Sequence, residues 1–115
     1  MVTDWAEVAK DLSGLVGQVM KGSPEVMKGF FTMERAAVGA GALDAKTKEL
    51  MALALGIAAR CQGCIAFHTR EAVKLGATRA EVMETVAVAA AMGGGPSVMY
   101  GSMAVEAFDQ FAAKG

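Results

Sequence analysis

The sequence is poor in the residues that carry most metal and nucleophile chemistry, since its 115 residues include only two cysteines and one histidine. Long apolar runs are also missing. The longest, Leu50 to Ala59, is far shorter than the roughly 20 residues of a membrane-spanning helix. Eleven basic residues against twelve acidic ones give a net charge of −1, which provides no basic field for nucleic acid or anionic lipid. We therefore expect neither nucleic acid nor a membrane as a partner.

The first residues contain no basic segment followed by a long apolar one, so no secretory signal is expected. The expected compartment is therefore the cytoplasm, where thiols are kept reduced. Two cysteines three positions apart cannot join distant parts of the chain. In a cytoplasmic protein such a pair more often marks redox chemistry or a metal.

Apolar residues recur at helical spacing along every long segment, and no segment shows convincing strand alternation. This pattern predicts one all-α domain over 1–115, a bundle of about six helices. Ser23, Asp44 and the Thr78–Glu81 pair are predicted N-terminal caps. The predicted helices run approximately over Asp4–Met20, Pro24–Val38, Ala45–Arg60, Cys61–Leu75, Thr78 to the glycines at 93–95, and Pro96–Ala113.

The apolar fraction of 54% is high for a domain of this size. A small domain has little interior, so surplus apolar residues tend to lie in subunit contacts. We therefore expect a homo-oligomer.

The fourth predicted helix carries both cysteines and the histidine. Residues advance by about 100° each around a helix axis, so Cys64 and His68 share a face, and Cys61 lies near it if the helix extends back that far. The thiolate is the reactive form of cysteine, and a helix N-terminus and a neighbouring imidazole both favour it. The second thiol is close enough to trap a sulfenic acid or a mixed disulfide as an intramolecular disulfide. The segment therefore has the three parts of a redox cycle.

Glu49 lies in the third predicted helix, which is apolar on nearly all sides. Burying an unpaired charge is expensive, so this carboxylate needs a partner. His68 is the candidate, and Glu49 would then orient its imidazole. Two simpler interpretations stay open: a carboxylate near the N-terminus of its helix, or a partner of Lys46.

The run of Glu49, Cys61-Gln62-Gly63-Cys64 and His68 resembles the carboxymuconolactone decarboxylase and alkyl hydroperoxidase D superfamily over roughly Leu43 to Gly95. The resemblance implies an all-helical homotrimer or homohexamer. It further implies that Cys64 attacks peroxide, that Cys61 resolves the product, and that His68 and Glu49 relay protons. It also implies a lipoylated or thioredoxin-like electron donor. Gly63 stands where characterised peroxidases of the family carry a histidine.

These observations predict a thiol-dependent peroxidase or disulfide reductase, an alkylhydroperoxidase-like antioxidant enzyme acting on a small hydroperoxide or disulfide without a bound cofactor or metal. One alternative is a decarboxylase-type acid–base enzyme, in which His68 and Glu49 act and the thiols are spectators. Another is a structural or zinc-binding oligomeric module. Zinc would require a fourth ligand beside Cys61, Cys64 and His68.

Overall fold

The computed structural model describes residues 2–114, so Met1 and Gly115, the two ends of the predicted domain, lie outside the described residues. Within this range the chain forms six α-helices and no strand, which confirms the all-α prediction. The helices are α1 (Trp5–Gly22), α2 (Pro24–Val38), α3 (Ala45–Ala58), α4 (Gln62–Lys74), α5 (Arg79–Gly93) and α6 (Gly95–Lys114).

Most helices begin where a polar side chain satisfies a free backbone N–H. Asp44 accepts from the N–H of Thr47 at 2.7 Å, and Thr78 and Glu81 form the predicted capping box. Ser23 is the N-cap residue of α2, as predicted, but its side chain makes no capping hydrogen bond. There Pro24 begins the helix with a φ that is already helical and an N–H that needs no partner.

Two predicted boundaries need correction. The expected break at the glycines 93–95 reduces to Gly94, whose positive φ of 76° separates α5 from α6. Gly93 is the last residue of α5, and the side chain of Ser97 occupies the space that a β-carbon would fill there, so this position requires glycine. The third helix ends at Ala58 rather than Arg60, because the backbone reverses there.

The reversal after α3 is a Schellman motif. The N–H of Arg60 donates to the carbonyl of Ile57 at 3.1 Å, and that of Cys61 donates to Gly56 at 2.9 Å. Arg60 takes the left-handed position with φ 57°, the single non-glycine residue with positive φ in the described chain. This conformation costs a residue with a side chain about 1–2 kcal/mol. The same motif ends α4, where Gly76 takes that position.

The helices pack as two hairpins, α3 with α4 and α5 with α6, which also contact each other. Leu53, Ile57, Ile65 and Val82 are fully buried between them. Trp5 anchors α1 to this core: its ring is fully buried, and its indole N–H donates to Glu106 of α6 at 2.8 Å. The α3–α4 hairpin is thus held from several sides.

Helix α2 is different, because none of its described residues is buried. Val26, Phe30 and Met33 recur at helical spacing and are 70%, 49% and 62% exposed. One side of this helix is therefore apolar and uncovered. None of the six helices has the length and hydropathy to cross a membrane, over the residues that the structure describes.

Candidate active site

The two cysteines meet at the turn between α3 and α4, where they form a disulfide with their Cα atoms 5.2 Å apart. Cys61 is not on a helical face, because its backbone is extended and it caps α4 from outside. Its sulfur accepts a hydrogen bond from the N–H of Cys64 at 3.1 Å. Both residues are half-buried. The sulfurs therefore lie at the N-terminus of α4, where the helix dipole stabilises negative charge.

Gly56 brings the two helices together at this point. A β-carbon on Gly56 would lie 2.7 Å from the Cβ of Cys64, closer than two such atoms approach. The carbonyl of the same residue accepts the N–H of Cys61 at 2.9 Å. Gly56 therefore contacts both cysteines. Its backbone oxygen binds the N–H of Cys61, and its missing side chain leaves room for the Cβ of Cys64. A glycine inside an otherwise apolar helix was the signal in the sequence for this close approach.

Glu49 and His68 face each other across the same two helices. The Nδ1 of His68 lies 2.6 Å from Oε1 of Glu49, and their side chains are 20% and 8% exposed. This confirms the predicted contact. When Glu49 is ionised it only accepts hydrogen bonds, and Nδ1 is then the donor. Nε2 of His68 then keeps a free lone pair, which suits the ring to act as a base.

Lys46 does not compete for Glu49. Its ammonium lies 2.9 Å from Oε2 of Glu81 and so ties α3 to α5. The contact raises the pKa of Lys46, while the hydrogen bond from Lys46 and the backbone N–H of Thr78 lower the pKa of Glu81. The alternative partner that the sequence left open for Glu49 is therefore engaged elsewhere.

The four predicted site residues thus fall into two adjacent pairs on one hairpin. Cys61 and Cys64 lie at its turn, and His68 lies about one helical turn further along α4, where it meets Glu49 of α3. Residues 2–114 contain no group of three or more potential metal-ligating side chains with suitable geometry. The arrangement supplies a dithiol that can form a disulfide, beside a base held by a carboxylate.

Comparison with known proteins shows the family to which this chain belongs. The model of the carboxymuconolactone decarboxylase family matches residues 24–107. The chain belongs to this family. Within it, an uncharacterised protein from Cupriavidus necator is 37% identical over 109 residues, which cover 95% of this chain and 96% of that protein.

Two solved structures of the family share the architecture. A family protein from Legionella pneumophila superposes with a TM-score of 0.90 at 48% identity, covering 94% of this chain and 96% of its own. A family protein from Thermotoga maritima, with a suggested involvement in antioxidative response, gives a TM-score of 0.79 at 30% identity, covering 96% of this chain and 92% of its own. The resemblance found in the sequence is confirmed, as is the fold that it implied.

Proposed function

We propose that this member of the family is a thiol-dependent peroxidase or disulfide reductase. The observation that carries the proposal is the joining of Cys61 and Cys64 at a helix N-terminus, with the His68–Glu49 pair on the same hairpin. The suggested antioxidative involvement of the Thermotoga relative is in keeping with it. The chemistry needs an activated thiol, a second thiol and a proton carrier, and in this proposal Cys64, Cys61 and His68 take these roles.

In the proposed cycle the thiolate of Cys64 attacks one oxygen of a hydroperoxide. An S–O bond forms, the O–O bond breaks, and the other oxygen leaves as an alcohol after gaining a proton. The thiolate of Cys61 then attacks the sulfenic sulfur, forming the disulfide and releasing hydroxide, which gains a proton to become water. A dithiol donor returns two electrons and two protons, and is itself oxidised to a disulfide.

His68 moves the proton in the first step. Its Nε2 accepts the proton of the Cys64 thiol, directly or through a water, and gives it to the departing oxygen. Glu49 accepts from Nδ1, which fixes the ring and stabilises the positive charge that it carries between the two transfers. For a disulfide substrate the same groups act, with a mixed disulfide in place of the sulfenic acid.

The test is peroxide consumption in the presence of a dithiol reductant. We expect turnover by the native protein and none by Cys64→Ser. Cys61→Ser should consume about one equivalent of peroxide, then stop at a sulfenic acid that a dimedone probe labels. Equal turnover by the native protein and Cys64→Ser would refute the proposal.

A second candidate follows from the name of the family: an acid–base enzyme of the decarboxylase type that uses His68 and Glu49 alone. It predicts that activity on a lactone acid survives replacement of both cysteines by serine. The double variant therefore separates the two candidates, because the redox cycle cannot run without sulfur.

We propose further that the protein works as a homotrimer or homohexamer, supported by the uncovered apolar side of α2. A lipoylated or thioredoxin-like protein is the proposed electron donor, and the cytoplasm is the proposed location. Each of the two donors presents a dithiol, which the return of two electrons to the Cys61–Cys64 disulfide requires.

A further inference from the structure

Arg60 occupies a backbone position that favours glycine. It is the left-handed residue of the Schellman motif at the end of α3, with φ 57°. The Schellman motif at the end of α4 has the residue that this position favours, Gly76, with φ 86°. The motif next to the cysteines therefore carries a cationic side chain where glycine is favoured.

No hydrogen bond or ion pair of its side chain within the described residues offsets this cost. Over residues 2–114, the exposed side chain of Arg60 makes no hydrogen bond or ion pair. A cation at a helix C-terminus gains from the helix dipole, but that gain is smaller than the cost of the left-handed conformation. A strained, exposed residue without such a partner points to a functional role.

The position of Arg60 indicates what that role is. It directly precedes Cys61, and the hydrogen bond from Cys61 to the carbonyl of Gly56 fixes this peptide unit. From Leu50 to Thr69, Arg60 is the single residue with a full charge when histidine is neutral. Neighbouring Cα atoms are about 3.8 Å apart, so the guanidinium can come within a Debye length of the sulfur of Cys61. Arg60 is therefore the charged residue nearest to the two cysteines in the sequence, and its charge is positive.

We propose that Arg60 is a specificity-determining residue that favours anionic substrates, namely disulfides and hydroperoxides with a carboxylate near the reacting atoms. The proposal rests on the thiol chemistry proposed above. The guanidinium attracts the carboxylate of the substrate during approach and binds it close to the Cys61–Cys64 pair. An arginine also offers two parallel N–H donors, which match a carboxylate.

The test follows the reduced dithiol as it reacts with three disulfides of different charge: dianionic dithiobis(nitrobenzoate), neutral dithiodipyridine and dicationic cystamine. In each case the protein dithiol becomes a disulfide and the probe leaves as two thiols, so the chemistry is the same. We expect Arg60→Gln to lower the rate with the dianion about tenfold relative to the neutral probe, and to raise the relative rate with the dication. Arg60→Lys should keep most of the preference, and added salt should weaken it in the native protein.

The Arg60→Gly variant separates the effect of the charge from the effect of the backbone conformation. Glycine relieves the left-handed strain, so its Tm should rise while its preference for the dianion falls as in Arg60→Gln. An unchanged preference in Arg60→Gln, or an equal loss with all three probes, would overturn the proposal. Failure of the proposed redox function is recognised separately, because the native dithiol would then react with the neutral probe no faster than free cysteine does.

Discussion

Gly56 and Cys64 approach more closely than any residue with a side chain at position 56 would permit. A β-carbon added at Gly56 would meet the Cβ of Cys64 at 2.7 Å, while the carbonyl of Gly56 accepts the N–H of Cys61 at 2.9 Å. The position of both sulfurs at the start of α4 thus depends on one glycine in α3. A side chain at position 56 should therefore affect the disulfide as well as the packing of α3 against α4.

Gly56→Ala should therefore weaken the disulfide as well as the fold. The disulfide ties Cys64 to Cys61, so we expect the disulfide form to adjust to the new methyl group less than the free dithiol does. Overpacking of this kind costs about 1–3 kcal/mol. If about 1.4 kcal/mol falls on the disulfide form, its equilibrium with a glutathione buffer shifts tenfold toward the dithiol. Trapping the thiols with an alkylating reagent across a series of glutathione ratios measures the shift.

Two other glycines provide matched controls. A β-carbon on Gly101 would meet Cγ1 of Val86 at 2.5 Å, far along the chain from the cysteines, so Gly101→Ala should lower the Tm without changing the thiol equilibrium. Gly14 has nothing within 4 Å, so Gly14→Ala should stabilise α1 by about 0.5–1 kcal/mol. If Gly56→Ala behaved like Gly101→Ala in both assays, Gly56 would be a packing residue only.

The sequence predicted the helices well because their ends carry local signals. The cap at Asp44 and the capping box at Thr78 each act within a few residues, and each lies where expected. The end of α3 was misplaced because its left-handed residue is an arginine, which gives no such signal. A break of one residue at Gly94 was likewise hidden among its neighbours.

The site was predictable only in part. The spacing of Cys64 and His68 on one helix is a property of the chain, but the contact of Glu49 with His68 depends on how α3 packs against α4. Burial cost argued that Glu49 needs a partner without choosing between His68 and Lys46. In the structure Glu81 of α5 pairs with Lys46, which leaves His68 as the partner of Glu49.

The uncovered side of α2 predicts self-association. Phe30 is 49% exposed at the middle of the apolar stripe, so an oligomer that covers the stripe would bury most of it. Phe30→Glu would place a charge in that contact and should shift the protein toward monomer in light scattering or sedimentation. Lys28→Glu introduces the same side chain on the opposite side of α2 and should leave the assembly intact. A native protein that is monomeric at all working concentrations would contradict the prediction.

Acid should weaken the link between α3 and α5. Lys46 and the N–H of Thr78 lower the pKa of Glu81 in the folded protein, and the backbone N–H of Thr47 lowers that of Asp44. A carboxyl with a lowered folded pKa stabilises the fold fully above its ordinary value, about pH 4 to 4.5. This stabilisation is lost as the pH falls through the lower folded value, because the unfolded chain then binds more protons. The Tm should therefore decrease as the pH is lowered below about 4.5.

The double variant Asp44→Asn, Glu81→Gln isolates this effect. Asparagine and glutamine can keep the capping hydrogen bonds but do not titrate. The variant should have a slightly lower Tm at neutral pH, since the ion pair with Lys46 is lost. Its Tm should then depend less on pH than that of the native protein. Parallel curves for the two proteins between about pH 3 and neutral pH would assign the acid sensitivity to other groups.

Glu49→Gln tests the carboxylate behind His68. Glutamine has nearly the same size and can still accept from Nδ1, but it carries no charge to stabilise the protonated imidazole. The rate of Cys64 oxidation by peroxide should fall at least about tenfold, against about 10²–10⁴-fold for His68→Gln, which removes the base. Glu49→Ala should also unfold more readily, by about 1–3 kcal/mol, because it leaves a partly buried Nδ1–H without a partner. Stopped-flow oxidation kinetics and denaturant melts measure the two effects, with the exposed Glu84→Gln as a surface control. A Glu49→Gln protein that oxidises at the native rate would leave His68 acting alone, with Glu49 reduced to a structural partner of its ring.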